Sequence, residues 1–434
     1  MGSTSSIRGD NGNTAAHNSM NAFDKPSAIF AAVILGFAGT GVAMGMPLLV
    51  GSMAKSLGFS EQQLGWLASS DMGGLFVGSI VAALLVTSVN RRLLAAGGLL
   101  LVILANYVST QNPDLLPLML SRLSAGIGAG ICYSTCTASL AGSHHAARTF
   151  SILLFVLVLM NAFIFYIFPI IEGEWGVNGL FMFYLLEAVP ILLILPWLPR
   201  YCAEKSIHEN VEQNVEQNVE ENVEERDEVA VKEGAGGLPI RPRVPKALPR
   251  LCLVAVFSFY LLVGAYWAFI ERAGAAVGIS TEFIAGTLTW GQVFSISATF
   301  ITVWLARRFG QLKPLLFALL IMVMTMLVLA GKVDKITFVY SVFSFSFFWI
   351  FIDVFQLGTL SNIDHSGRYA ALVPAFQGVG QAMAPTLAGT LLSYQLGYGS
   401  VMLMCAVAST IALLIYLHVY RALLRVAPGI ANKD

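Results

Sequence analysis

The chain has 434 residues and no formal net charge; 56% of its residues are hydrophobic and only 12% charged, about half the charged share of an ordinary soluble protein. So little polar surface cannot clothe a single water-soluble core, which excludes a soluble enzyme of this length. A lipid bilayer is the natural solvent.

Residues 1–27 (MGSTSSIRGDNGNTAAHNSMNAFDKPS) are polar and rich in Ser, Asn and Gly, the composition of a disordered tail. They hold no apolar core and so no cleavable signal peptide. Six apolar runs follow at 28–51, 62–86, 93–110, 115–141, 149–171 and 178–198. Six more lie at 249–270, 281–305, 313–331, 336–361, 369–393 and 398–420. Each is long enough for a membrane helix, which needs about 17–25 residues. Spanning barrels alternate apolar and polar residues, whereas these runs are apolar all round. The expected fold is an all-α membrane protein of twelve transmembrane helices in two six-helix bundles, 28–198 and 249–421.

Residues 199–248 separate the bundles as an acidic, low-complexity linker. Within it NVEQNVEQNVEENVEE (210–225) repeats every four residues; its valine stripe is too narrow to bury, so a disordered or partly helical tether is expected. A short tail, 422–434, closes the chain. The tails and short loops on the side of the termini carry twelve basic residues, against Lys55, Arg272, Lys332 and Lys335 on the other. The positive-inside rule therefore places tails and linker in the cytoplasm. A plasma or inner cell membrane is the expected location. Cys132, Cys136, Cys202, Cys252 and Cys405 show neither metal spacing nor a disulfide framework.

The two bundles are related by a constant offset of 220 residues. SLAGSHHAARTF (139–150) lies over TLSNIDHSGRYA (359–370), so His145 meets His365 and Arg148 meets Arg368. The same offset pairs Gly58 with Gly278, Ser60 with Ser280, Gly179 with Gly399, and the basic loop 86–93 with 306–313. Such a duplication, with both termini on one side, makes parallel repeats about an axis along the membrane normal. A cavity between them would be a transport path.

Three motifs carry a family likeness. RLSAGIGAG (122–130) supplies Arg122, Gly126 and Gly128 in an Arg-x-x-x-Gly-x-Gly pattern; LARRFGQLK (305–313) supplies Arg307, Arg308 and Gly310; and TSVNRR (87–92) supplies Arg91 and Arg92. In these the chain resembles the major facilitator superfamily. It departs from the family's loop motif, which usually carries an Asp where Arg307 and Thr87 stand, and a Gly where Asn90 stands. GQAMAPTLAG (380–389) is a partial likeness to the antiporter Gly-Pro motif. The resemblance implies that the first, fourth, seventh and tenth spans line the cavity, and that the second and eleventh meet across the halves.

A charge in the bilayer costs at least about 2.5–3.5 kcal/mol, so ionisable residues in spans are functional candidates. Asp71 and Arg122 enter their spans from the same side, about 15 and 10 Å deep at about 1.5 Å per residue. They are within reach of one another, and are the proton-coupling candidates, with a permanent structural pair as the alternative. The resemblance places Tyr133 and its repeat partner Asp353 on the substrate path, Asp353 as a gate or cation contact. Glu187 is expected to make an inter-helix hydrogen bond, and Glu271 with Arg272 a solvated pair. Met44, Met46, Tyr266, Trp267 and Trp349 complete a candidate cavity surface able to grip rings or cations.

Small residues recur at Ser70, Gly74 and Gly78, and at Gly380, Ala384 and Ala388. Such stripes let helices approach closely; given the family's pairing of the second and eleventh spans, a sliding seam between halves is expected. The sequence holds no metal cluster, no nucleotide-binding Gly-Lys loop and no sign of a nucleic-acid partner or cofactor. The expected function is secondary active transport of a small organic solute by alternating access, proton-coupled, with a slight lean to efflux. The partners are that solute, protons and membrane lipid, and the expected state is a monomer. The alternatives are uptake of an organic anion or metabolite, or a non-transporting receptor or scaffold.

Overall fold

A computed structural model describes residues 22–143, 145–200, 245, 247–364, 369 and 372–426. Most of the expected tail and linker lies outside these residues, as do Cys202, His365, Arg368 and the side chain of Arg307. Among the described residues there are eleven α-helices: α1 (Pro26–Leu57), α2 (Glu61–Leu85), α3 (Arg91–Gln111), α4 (Leu115–Ala141), α5 (Ala146–Ile194), α6 (Ala247–Ala276), α7 (Thr281–Phe309), α8 (Leu312–Gly331), α9 (Lys335–Ile363), α10 (Val373–Ser393) and α11 (Gly397–Val426).

The longest element, α5, would measure about 74 Å if straight, more than twice a hydrocarbon core of about 30 Å. It is not straight. Gly176 leaves the helical region at φ 59°, ψ −155°, a conformation only glycine adopts without strain. Thr149 at one end of α5 donates to the Leu140 carbonyl, and Trp197, just past the other end, packs on Phe30 at the start of α1. The Val177 amide at the break donates to Ser56 at the end of α1. The two arms are therefore antiparallel, closed by edge contacts of Phe168 with Phe183 and Tyr184.

Ten segments among the described residues are long and apolar enough to cross a membrane. The polar and glycine-rich α10 is not one of them; it is covered by α2 and α6. The expected tail ends early: Phe23 is buried against Gly142, with the Arg91 guanidinium over its ring, and Asp24 accepts from Ser143. Residues 22–27 thus belong to the first half, a contact that needs tertiary packing and leaves no mark on local composition. At the far end of the chain, α11 runs to Val426, past the expected boundary at 421.

The offset of 220 residues recurs in the helix bounds: α1 to α4 fall over α6 to α9, each pair starting within a residue or so of the same register. The turn after the first helix of each half is the same turn. Gly58 and Gly278 are left-handed at φ 67° and 78°, and two residues on Ser60 and Ser280 cap the next helix, accepting from the amides of Gln63 and Phe283. Ser60 and Gln63 complete a capping box.

Candidate functional site

The first half holds a buried polar network. Arg122 on α4 is fully buried and donates to Asn106 Oδ1 (2.9 Å) and Ser109 Oγ (2.7 Å) on α3, with its guanidinium 4.6 Å from the centre of the Phe181 ring. Asp71 on α2, 1% exposed, comes to 3.9 Å of Arg122 Nη1. Neither of its carboxylate oxygens accepts a hydrogen bond among the described residues. The two expected partners are together, held by charge while the guanidinium spends its hydrogen bonds on α3.

The duplicated half provides an internal control. The positions equivalent to Asp71, Asn106, Ser109 and Arg122 are Gly291, Met326, Leu329 and Val342. In the second half the Val342 side chain lies against Gly291, and Met326, Leu329 and Val342 are all buried. One scaffold therefore packs these positions either with ions or with hydrocarbon.

Glu187, on the second arm of α5, makes no hydrogen bond with either carboxylate oxygen, contrary to expectation. It faces Gly41 of α1 beside Tyr184, whose hydroxyl donates to the Gly41 carbonyl (3.2 Å). An apolar stretch of α1 lies where a donor would have to be.

Around Asp353 on α9 the second half offers a different arrangement. Tyr260 Oη (α6) and Gln377 Nε2 (α10) both donate to its Oδ1, at 3.0 and 2.7 Å. Tyr133 of the first half is within electrostatic reach. Tyr133, Trp349, Asp353 and Gln377 are only partly buried although they sit inside the bundle. Tyr260 and Gln377 were not among the sequence candidates; a single Tyr or Gln in an apolar run carries no periodic signal.

The remaining cavity candidates divide. Met44 stays partly open, whereas Met46 is buried. Tyr266 is fully buried, stacked on Phe345 at 4.2 Å with its hydroxyl on Ser341, so it is packing within the second half. Trp267 crosses between halves: its indole N–H donates to the Ala43 carbonyl (2.9 Å) and its ring meets Phe165. Trp349 extends the same aromatic wall, 5.9 Å from Trp267 and 5.6 Å from Phe345.

The seam residues are where the structure departs most from expectation. Gly74 packs on Leu123, Gly126 and Ile127, and Gly78 on Ile127, all in α4 of the same half. Gly380 meets Phe257 and Tyr260, and Ala384 meets Gly264, all in the second half. Ser70 turns its hydroxyl back to the Trp66 carbonyl, and Ala388 is buried. Helices α2 and α10 do meet, but through a neighbouring face. Gly65 lies against Pro385 and Gly389, Ser69 Oγ accepts from the Thr386 amide (3.0 Å), and Phe76 packs on Gly378.

Arg91 and Arg92 bind their own half, donating to the carbonyls of Ala138 and Leu198, while Arg308 lies beside Trp304 and Phe309. Gly310 ends α7 at φ 70°, as the turn glycine. At the opposite end of the molecule a charged clamp joins the halves. Arg272 (α6) binds Glu61 (α2) at 2.7 Å, and Tyr398 (α11) donates to the same oxygen at 2.5 Å. Lys55 (α1) reaches Glu172 (3.3 Å) and Thr281 of α7 (2.8 Å). Glu271 is 1% exposed and lies over Gly51 of α1. It is no solvated pair with Arg272, because the end of α1 covers it.

The sequence profile of the Major Facilitator Superfamily matches residues 31–363. No curated protein matches the chain by sequence. Among solved structures, a D-xylose-proton symporter superposes with a TM-score of 0.67 at 16% identity, covering 90% of this chain and 96% of that one. A variant of the nucleoside transporter NupG gives 0.69 at 11% identity, over 90% and 99%. A bacterial homologue of the human lysosomal transporter Spinster gives 0.68 at 11%, over 92% and 98%. At such identities these structures speak for the fold, and the profile covers most of the chain: it belongs to the Major Facilitator Superfamily, a multi-pass integral membrane protein of a transporter family and not an enzyme.

Proposed function

We propose that the chain is a proton-coupled secondary transporter of a small organic solute, working by alternating access between its two halves. In this reading the two arms of α5 and the polar α10 each cross the membrane, giving twelve crossings with both termini in the cytoplasm. The clamp of Glu61, Arg272 and Tyr398 then closes the outer side. The solute site is the partly open region between Tyr133, Trp349, Asp353 and Gln377, and the direction favoured is efflux. A monomer in a plasma or inner membrane suffices.

The observation that carries the proton reading is the contrast between equivalent positions. Buried ion pairs do not stabilise a fold over well-packed hydrocarbon, and the second half packs the same sites with Gly291, Met326, Leu329 and Val342. Architecture therefore does not require Asp71 and Arg122. A carboxylate without hydrogen bonds, 3.9 Å from a fixed guanidinium, can exchange a proton with little rearrangement. It sits on α2, the helix that also forms the contact with α10.

The test is flux of a solute panel in proteoliposomes with and without an imposed pH gradient, for the wild type and Asp71→Asn. The wild type should respond to the gradient, and the variant should keep exchange but lose gradient-driven accumulation. Accumulation by Asp71→Asn equal to wild type would overturn the role of Asp71. No flux of any solute would favour a receptor or scaffold.

A further inference from the structure

The carboxylate of Asp353 is held differently from those of Asp71 and Glu61. Asp71 has Arg122 at 3.9 Å, and Glu61 has Arg272 at 2.7 Å. Asp353 has hydrogen-bond donors but no basic side chain within 4 Å among the described residues. Both of its hydrogen bonds, from Tyr260 and Gln377, end on Oδ1. Those two donors come from α6 and α10 and fix the carboxylate from two sides, while Oδ2 receives none from the described residues.

Its surroundings are aromatic and drawn from both halves. Trp349 lies one helical turn before Asp353, in contact with Trp267 and Phe345. Tyr133 of α4, the repeat partner of Asp353, is partly buried in the first half. Asp353, Trp349 and Tyr133 are each partly open; the Asp353 carboxylate is bonded toward α6 and α10, while Val354 and Leu357 are exposed on another face of α9. A carboxylate fixed by two hydrogen bonds, with no basic side chain within 4 Å among the described residues and an indole one turn away, is a combination that can bind an organic cation when ionised. The charge supplies attraction in a low dielectric, and the rings cover the apolar body of the ligand. Glu187 lacks this: it is unpaired too, but it faces the backbone of α1 and has no hydrogen-bond donor to orient it.

We propose that the solute is a monovalent organic cation with an aromatic or apolar body, held by Asp353 with Trp349 and Tyr133. This rests on the transport reading and specifies its substrate class. Because Tyr133 belongs to one half and Asp353 to the other, a bound cation would contact both and report their separation.

The test is equilibrium binding of radiolabelled tetraphenylphosphonium and of tryptamine to the purified full-length protein. Saturable binding of at least one is expected, weakened at least tenfold in Asp353→Asn and much less in Asp353→Glu. Trp349→Leu should weaken it several-fold, and Glu174→Gln, at an exposed acid two residues before the Gly176 break in α5, should not change it. Monodisperse elution and an unchanged melting temperature establish that Asp353→Asn is folded. Failure of both cations to bind, or equal binding by Asp353→Asn, overturns the inference. Flux of uridine or D-xylose in proteoliposomes separates the two failures. If a neutral solute moves and Asp353→Asn moves it equally well, the cation class falls and the transport reading stands; if nothing moves, the transport reading falls.

Discussion

The two halves share one backbone plan and fill it differently. Each begins with the same left-handed glycine and serine cap, at Gly58 and Ser60 and at Gly278 and Ser280. Inside, the first half keeps a charge pair and two hydrogen-bonding residues where the second keeps Gly291, Met326, Leu329 and Val342. The roles reverse elsewhere, since Tyr133 of the first half corresponds to Asp353 of the second. The turns that register the helices against one another were retained, and the interior was free to diverge. Where ions remain in a scaffold that packs without them, stability is a poor explanation for their presence.

The sharpest way to break this comparison is to give one half the residues of the other. Arg122→Val alone leaves Asp71 buried without its cation, and should lower stability by about 3–5 kcal/mol, seen as a fall in melting temperature and in monodisperse yield. The double variant Asp71→Gly, Arg122→Val reproduces the Gly291–Val342 contact and should recover most of that loss without recovering the proposed proton coupling. Failure of the double variant to outlast the single one would mean the halves are not interchangeable at this contact.

A smaller effect separates packing within a half from packing between halves. A β-carbon at Gly78 would run into the Ile127 backbone, and one at Gly65 into Pro385. Gly78→Ala should destabilise the first half by about 1–3 kcal/mol. Gly65→Ala should instead disfavour the closed clamp end, raising maleimide labelling of a cysteine at Ser52 in a background without native cysteines. Equal loss of stability in both would remove the distinction.

Arg272→Gln breaks the bond to Glu61 between halves. A partly exposed pair contributes about 1 kcal/mol or less, so labelling at position 52 should rise by no more than about fivefold. The smallest effect is expected at Asp334, the partly exposed cap of α9. The backbone amide of Thr337 and the Lys332 ammonium hold its carboxyl down to about 2. Its depressed value makes its contribution complete above the ordinary carboxylate range of about 4, and lost as pH falls through about 2. Asp334→Asn should lower the melting temperature slightly at neutral pH, converge with the wild type near pH 2, and so flatten the dependence over that acid window.

Much of the fold was legible because a bilayer imposes run length, and the repeat imposed register. Gly58 with Gly278 and Ser60 with Ser280 stood out as repeat pairs, and the structure shows them to be a turn and a cap. The faces could not. On α2 the series Ser70, Gly74, Gly78 and the series Gly65, Ser69 are both small and helically spaced, and spacing does not say which neighbour each meets. Burial at helix ends was equally hidden: Glu271 looks solvated until the end of α1 is laid over it. At the site, Asp71 and Arg122 were legible because charge is rare in such runs, whereas Tyr260 and Gln377 became visible only once three helices converged on Asp353.

Trp267 gives the molecule its own optical gauge. Its indole bridges the halves, with its N–H on the Ala43 carbonyl and its face against Phe345. If the halves part there, the indole exchanges a carbonyl for water, and its emission should move to longer wavelength. Trp175, Trp197, Trp290 and Trp304 are already half exposed or more and form a constant background, once the partly buried Trp66 and Trp349 are replaced by Phe. The proposed alternation between the halves could thus be followed in time without attaching a dye.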